Sequence, residues 1–202
     1  MFGNKVAVIT GGAQGIGKYI AEQFRKNGAE AYIIDILPNE CFVGDISDKE
    51  TLEKFAGTII AKHGKIDYLI NNAPPLSKGL TECSYEEFEY ALKVGVTAPF
   101  YLAKLFSPYF SEGGVIINIS STRDRMSQPE TESYTAAKGG IAALTRALAV
   151  TLAGKVRVNS VSPGWIDTSF KAHSGADALQ HPAGRVGTPA DIADIVLFLC
   201  SD

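Results

Sequence analysis

A tyrosine and a lysine stand four residues apart in a segment with helical periodicity, so Tyr134 and Lys138 share one face of that helix. A free tyrosine has a pKa near ~10 and is a poor base at neutral pH, but a neighbouring ammonium group favours the phenolate. Ser121 follows a predicted strand, where its hydroxyl could bond a substrate oxygen. These residue types predict acid–base chemistry on an alcohol or carbonyl. Tyr-x-x-x-Lys by itself also fits an ordinary amphipathic surface.

A glycine-rich turn joins the first predicted strand to the first predicted helix and reads Thr10-Gly-Gly-Ala-Gln-Gly-Ile-Gly17. Such a turn lets a pyrophosphate approach the backbone at a helix N-terminus, although it is equally common as plain structure. Asp35 ends the second predicted strand, where a carboxylate reaches adenosine ribose hydroxyls and repels a 2′-phosphate. The sequence therefore favours NAD over NADP, and a capping role for Asp35 is the alternative.

The elements that must position these residues alternate between short apolar runs and stretches of helical period. Strands are predicted at about 6–10, 31–35, 41–44, 66–70, 114–119 and 156–161. Helices are predicted at about 15–27, 84–109, 132–153 and 189–200. A further helix is predicted from the cap Ser47, which forms a capping box with Glu50, to residue 63. Apolar strands separated by helices indicate a doubly wound α/β fold, a Rossmann-like parallel sheet covered on both faces.

We expect one domain over 1–202, with 165–187 as a candidate substrate lid beyond the sixth strand. We expect a sheet of six strands within these residues, because the last predicted element is a helix and a seventh strand is apparently missing. Of the lid residues Phe170, Lys171, His173, His181 and Arg185, and of Arg123 and Arg125 beyond Ser121, each could meet a polar substrate or belong to a solvated face.

Composition excludes several classes of function. The 202 residues are 46% hydrophobic with a net charge of -3, which excludes disorder and gives no basic footprint for nucleic acid. Apolar runs fall short of the ~20 residues that span a bilayer, so no membrane segment is expected. The three histidines and three cysteines lack metal-ligand spacing, which predicts no metal site and indicates reduced thiols in a cytoplasmic protein.

Five ordered motifs together resemble the short-chain dehydrogenase/reductase family. They are the glycine loop, Asn71-Asn-Ala73, Asn118-Ile-Ser-Ser121, Tyr134-Thr-Ala-Ala-Lys138 and the segment from Asn159 to Thr168. The resemblance implies hydride transfer between NAD and a secondary alcohol or ketone. It implies Tyr134 as general acid/base, Ser121 orienting the substrate oxygen, and Lys138 lowering the tyrosine pKa while binding the nicotinamide ribose.

The same resemblance implies a set of cofactor contacts. Asp45 and Ile46 would lie against adenine, Asn72 beside both riboses, and Ile166 and Thr168 against the carboxamide. The remaining contacts would be Gly11, Gln14, Gly15, Ile16, Gly17, Asp35, Ala73, Tyr134, Lys138, Pro163 and Gly164. Family dimers pair through the helices around 84–109 and 132–153, which implies a homo-oligomer, a dimer or a tetramer.

The chain departs from the family pattern at two positions besides its end. Pro74 stands where the family has Gly after Asn-Asn-Ala, and Gly95 stands where the family has an Asn that helps bind a water beside the lysine. Because Pro99 cannot donate to the Gly95 carbonyl, that oxygen could keep the proton relay; a kink for packing is the alternative.

Two other functions remain open from the sequence. A non-catalytic NAD-binding sensor or scaffold would keep the fold without turnover, and Pro74 and Gly95 favour it slightly. A 3-oxoacyl-thioester reductase is the second alternative, but members of that group mostly use NADPH, and Asp35 argues against them.

Overall fold

The structure, a computed structural model, describes residues 2–169 and 175–201. Six strands form one parallel sheet in the order β3-β2-β1-β4-β5-β6. The predicted doubly wound α/β fold is confirmed. The elements are β1 (Val6–Thr10), α1 (Gly15–Lys26), β2 (Glu30–Asp35), β3 (Phe42–Val43), α2 (Lys49–His63), β4 (Ile66–Asn71), α3 (Tyr85–Leu92), α4 (Ala98–Phe106), β5 (Phe110–Ile119), α5 (Glu132–Thr151), β6 (Val156–Val161), α6 (Gly175–Leu179) and α7 (Pro189–Cys200).

The sheet separates two hydrophobic layers, because side chains alternate between its faces along each strand. Val8 of β1 joins the layer beneath α2 and α4, with Phe55 and Leu102. Ile9 joins the layer beneath α1 and α7, with Phe24 and the α7 valine Val196. Strand β1 pairs with β2 on one side and β4 on the other. The order of strands therefore reverses beside β1, and such a reversal opens a crevice at the carboxyl edge.

The N-cap of helix α2 lies one residue after the predicted cap, Ser47. Asp48 is the N-cap, and its Oδ2 accepts the Thr51 N–H at 2.8 Å. The Ser47–Glu50 capping box is therefore wrong. The backbone N–H of Ser47 instead donates to Asp45 Oδ1 at 2.8 Å, which places Ser47 in the turn before the helix.

The region predicted as one helix over 84–109 is interrupted. Helix α3 ends at Leu92, a π-helical turn covers Lys93–Thr97, and a 3-10 turn over Ser107–Tyr109 follows α4. The Ala98 N–H reaches back five residues to the Lys93 carbonyl. Pro99 next along the chain has no N–H to continue a regular ladder, which accounts for the wide turn at this point.

Gly95 lies in that π turn, at a close contact with α5. A Cβ on Gly95 would stand 2.7 Å from Ala137 Cβ and 3.2 Å from Pro75 Cβ. Packing against α5 therefore requires a residue without a side chain at position 95. A packing role for Gly95 is the alternative that the sequence left open. The proton-relay hypothesis for the Gly95 carbonyl stays a prediction.

Among the described residues, no helix combines the length and the apolar character that crossing a bilayer requires.

We expect Gly95→Ala to destabilise the fold by about 1–3 kcal/mol, because the added methyl overlaps Ala137. Ala137→Gly in the same chain should recover part of that loss, as measured by urea unfolding. Gly57→Ala is the matched control: Gly57 lies in helix α2 with nothing within 4 Å of an added Cβ, so alanine there should stabilise by up to ~1 kcal/mol. Equal effects at the two glycines would contradict the packing argument.

Candidate active site

A cavity of about 570 Å³ opens at the carboxyl edge of the sheet. The ends of β1, β2, β4, β5 and β6 contribute to its wall. The predicted site residues on this wall are Ser121, Tyr134, Lys138, Gly11, Gln14, Gly15, Ile16, Asp35, Asp45, Ile46, Asn72, Ala73, Pro163, Gly164, Ile166 and Thr168. The tertiary structure thus brings together segments that are far apart in the sequence.

The glycine loop is shaped for a close approach of backbone to ligand. Gly11 and Gly15 have φ values of 68° and 57°, in the left-handed region that favours glycine. Helix α1 begins after Gln14 without a side-chain cap hydrogen bond and has no acidic residue in its first turn. The positive end of the helix dipole therefore meets the cavity without a carboxylate of that turn to neutralise it, which suits a phosphate.

Gly17, another predicted cofactor contact, does not line the cavity, and its contact with a cofactor stays a prediction. A Cβ at Gly17 would stand 2.2 Å from the Gly11 oxygen and 2.4 Å from Asn72 Nδ2. The missing side chain instead lets helix α1 pack against the loop.

Asp35 lies on the cavity wall and also ties the glycine loop to β2. Its Oδ2 accepts the Ala13 N–H at 2.9 Å, and its Oδ1 accepts the Leu37 N–H at 2.9 Å. The turn-capping alternative raised by the sequence therefore describes real hydrogen bonds of this carboxylate. These bonds also hold Asp35 facing the cavity.

Strand β4 is fastened to β1 at the point where the sheet reverses. The Asn72 side-chain amide donates to the carbonyls of Thr10 at 3.1 Å and Gly11 at 2.9 Å. In return, Thr10 Oγ1 accepts the backbone N–H groups of Asn72 at 3.0 Å and Ala73 at 3.1 Å. The Asn72 amide thus donates to the start of the glycine loop, and these bonds fix the floor of the cavity.

Lys138 is buried, with 4% of its surface exposed. Its Nζ donates to the Ile119 carbonyl at 2.7 Å and lies 5.4 Å from the centre of the Tyr134 ring. Burial disfavours the ammonium form and lowers the pKa of Lys138 to about 8. The side chain can therefore be charged at neutral pH within reach of Tyr134.

Ser121 lies at the end of β5, where its Oγ accepts the Arg123 N–H at 3.2 Å. The neighbouring Ser120 Oγ donates to the backbone oxygen of Lys138 at 3.2 Å. The Ser120 bond joins the end of β5 to helix α5. Ser121, Tyr134 and Lys138 consequently face one cavity from two elements that are tied to each other.

A series of buried hydrogen bonds also links β5 to α5, and it extends to β4. Asn71 Nδ2 donates to Asn118 Oδ1 at 2.8 Å, and Asn118 Nδ2 donates to Thr145 Oγ1 at 2.9 Å. Thr145 Oγ1 then donates to the Ile141 carbonyl at 2.8 Å. Polar groups in such an apolar setting are costly unless paired, so these bonds fix how β4, β5 and α5 meet.

Several residues of the cavity wall are not predicted from the sequence. Tyr90 and Val94 reach the cavity from the end of α3 and the π turn, and Tyr90 donates to Asp45 Oδ2 at 3.2 Å. Their spacing of four residues on a half-buried helix was the available signal. The other missed residues are Ile34, Ile36, Leu37, Gly44, Pro74, Ile119 and Ser120.

The candidate lid is described only in part. Ile166 pairs with Gly187 in an isolated bridge, and α6 lies between them in the chain. Arg185 donates to Asp191 Oδ2 at 2.7 Å, so its guanidinium is engaged by the start of α7. Phe170, Lys171 and His173 lie outside the described residues. Over 2–169 and 175–201, no group of three or more His, Cys, Asp or Glu residues could hold a metal ion.

A family model described as enoyl-(acyl carrier protein) reductase matches residues 11–202. The chain belongs to the short-chain dehydrogenase/reductase family. The members of this family are oxidoreductases that use nicotinamide cofactors and act on small-molecule substrates.

Individual members of the short-chain dehydrogenase/reductase family resemble the chain over nearly its whole length. The chain is 39% identical to an uncharacterized oxidoreductase of Thermotoga maritima, over 100% of this chain and 90% of that protein. It is 30% identical to the 3-oxoacyl-[acyl-carrier-protein] reductase FabG of the same organism, over 98% and 91%. A solved apo SCOR enzyme from Clostridium thermocellum shares 44% identity and superposes with a TM-score of 0.92, over 98% of this chain and 86% of that one.

We expect Lys138→Met to change the pH dependence of stability. The pKa of Lys138 in the folded protein, about 8, lies below its ordinary value of 10.5. Between these values the unfolded chain binds more protons, so wild-type stability relative to the variant should rise with pH across this window, by about 3 kcal/mol in all. Urea unfolding at pH 7–10 measures the difference.

Lys104→Met, which removes an exposed ammonium from α4, is the control for that series. The burial argument fails if the wild-type advantage over Lys138→Met is flat from pH 7 to 10, or if it follows the same course as the advantage over Lys104→Met.

Proposed function

We propose that the protein is an NAD-dependent oxidoreductase that transfers a hydride between NAD(H) and a secondary alcohol or ketone. One observation carries the proposal: Tyr134, the buried Lys138 and Ser121 line the same cavity as the glycine loop and Asp35. An acid–base group, a cation beside it and a dinucleotide-type loop thus share one enclosed space. The family membership supports the class of reaction.

The chemistry divides between the cofactor and the chain. The nicotinamide ring, when bound, accepts or supplies the hydride. In the direction of oxidation, Tyr134 as phenolate takes the proton from the substrate hydroxyl. The hydride leaves the carbon that bears this hydroxyl, and that carbon becomes the carbonyl carbon. In reduction, Tyr134 as phenol returns that proton. Ser121 Oγ donates a hydrogen bond to the substrate oxygen in both directions.

Lys138 has two roles in this proposal. Its ammonium group, 5.4 Å from the Tyr134 ring centre, stabilises the phenolate electrostatically. The ammonium group has three N–H donors, and the Ile119 carbonyl engages one of them. The other two can donate to the nicotinamide ribose. Lys138 can serve in this way while it is charged, which holds best below about pH 8.

NAD is proposed over NADP because of the charge and position of Asp35. Its carboxylate lies on the cavity wall, and the residues that follow it there, Ile36 and Leu37, are apolar. A ribose with free hydroxyls can donate to this carboxylate, whereas a 2′-phosphate would be repelled by it. The other predicted contacts on the wall, from Gln14 to Thr168, are proposed to hold the rest of the dinucleotide.

Two alternatives are distinguished by different measurements. The 30% identity to a 3-oxoacyl-[acyl-carrier-protein] reductase keeps a thioester reductase open as the second candidate, and a preference for NADPH would favour it. A non-catalytic NAD-binding sensor would bind cofactor without turnover. A cytoplasmic location and assembly into a homo-oligomer stay predictions.

We expect calorimetric titration to show at least about tenfold tighter binding of NADH than of NADPH. Asp35→Asn should reduce that ratio toward one, because the amide no longer repels a phosphate. Asp48→Asn, which removes a carboxylate at the cap of α2 outside the cavity, is the matched control. NADPH preference in the wild type would overturn the role given to Asp35.

We expect Tyr134→Phe to lose about 10²–10⁴-fold in turnover with NAD and a panel of secondary alcohols, because no proton acceptor remains at the substrate oxygen. NADH affinity should stay within a few-fold, since the ring is retained. Equal turnover by wild type and variant would overturn the role of Tyr134. Cofactor binding without turnover of any substrate by the wild type would favour the sensor.

A further inference from the structure

The cavity has a polar pair that the proposed reaction does not use. Tyr90 in α3 and Asp45, two residues after β3, both line the cavity at the end formed by β2 and β3. The Tyr90 hydroxyl donates to Asp45 Oδ2 at 3.2 Å. The Ser47 N–H donates to the other oxygen, Oδ1, at 2.8 Å. Both carboxylate oxygens are therefore held by the protein itself.

Tyr90 is itself fixed in place. Its ring packs against the hydrophobic layer beneath α2 and α4. Helix α3 starts with a capping box in which Ser84 and Glu87 exchange hydrogen bonds, which sets the position of its first turn. The hydroxyl therefore meets Asp45 from a helix whose start is capped, whereas the carboxylate belongs to the turn between the two-residue strand β3 and helix α2.

The direction of the hydrogen bond follows from the protonation states. Burial, and then the charge of Asp45, raise the pKa of Tyr90 above its ordinary value of 10. Tyr90 is therefore a phenol that donates, and Asp45 accepts. A carboxylate has about four acceptor positions, so those not used by Tyr90 and Ser47 can accept from a ligand in the cavity.

We propose that Tyr90 is a positioning residue that holds Asp45 so that the cavity selects a base with an exocyclic amino group, adenine rather than hypoxanthine. This inference rests on the proposed function and on the position of Asp45 and Ile46 against adenine that the family resemblance implies. An amino group donates to a carboxylate, whereas the carbonyl of hypoxanthine at the same place meets it acceptor to acceptor. Ile46 and Val94, both buried on the same wall, offer apolar surface to the ring.

The test compares binding of NADH and reduced nicotinamide hypoxanthine dinucleotide by calorimetry. We expect the wild type to prefer NADH, and Tyr90→Phe to lower the ratio of the two affinities roughly three- to tenfold, the usual effect of one hydrogen bond. The ratio separates a positioning role from a general loosening of the site, which would weaken both ligands equally. In an Asp45→Asn background, Tyr90→Phe should change the ratio no further.

The matched control is Tyr101→Phe, because Tyr101 also donates to a carboxylate, Glu53, but lies outside the cavity. It should leave the ratio unchanged. If Tyr90→Phe does not fold, Tyr90→Met, which also lacks a donor, takes its place.

The outcomes separate the inference from the function on which it rests. A wild type that binds neither dinucleotide overturns the proposed function, and the inference with it. A wild type that binds both equally, or a Tyr90 variant whose ratio is unchanged or higher, overturns the inference and leaves the proposed function standing.

Discussion

The Lys138 amino group is held inside the protein 5.4 Å from the centre of the Tyr134 ring, and much of the surrounding structure maintains that placement. The charge is desolvated, so its hydrogen bond to the Ile119 carbonyl is essential compensation. That bond needs the end of β5 to stay at a fixed distance from α5. The bond from Ser120 to the Lys138 backbone and the buried Asn71–Asn118–Thr145 chain provide this constraint.

The reversal of strand order beside β1 provides the space that the charge faces. Parallel strands direct their carboxyl ends to one edge, and the helices leave in opposite directions there. Thr10 and Asn72 bridge the two strands on either side of the crevice through four hydrogen bonds. The glycine loop is thereby held against a rigid floor, which suits a site that must place a ligand relative to Tyr134.

The π turn after α3 packs against α5 and contributes Val94 to the cavity wall. Gly95 lets this turn approach Ala137, one residue before Lys138, while Val94 of the turn and Tyr90 of α3 line the cavity wall. A bulkier residue at Gly95 would push α5 away and disturb both the lysine and the wall together. The irregularity thus has a structural cause in Pro99 and a consequence at the site.

The sequence by itself determined the alternation of strands and helices, the parallel sheet, and more than half of the residues that line the cavity. These follow from local patterns and from motifs at fixed spacing. The sequence could not reveal the bond from Tyr90 to Asp45, the cap at Asp48, the π turn, or the position of Gly17 outside the cavity wall. The cap and the π turn are choices among local hydrogen bonds. The bond to Asp45 and the position of Gly17 depend on contacts between segments far apart in the sequence, and such contacts are decided only when the layers pack.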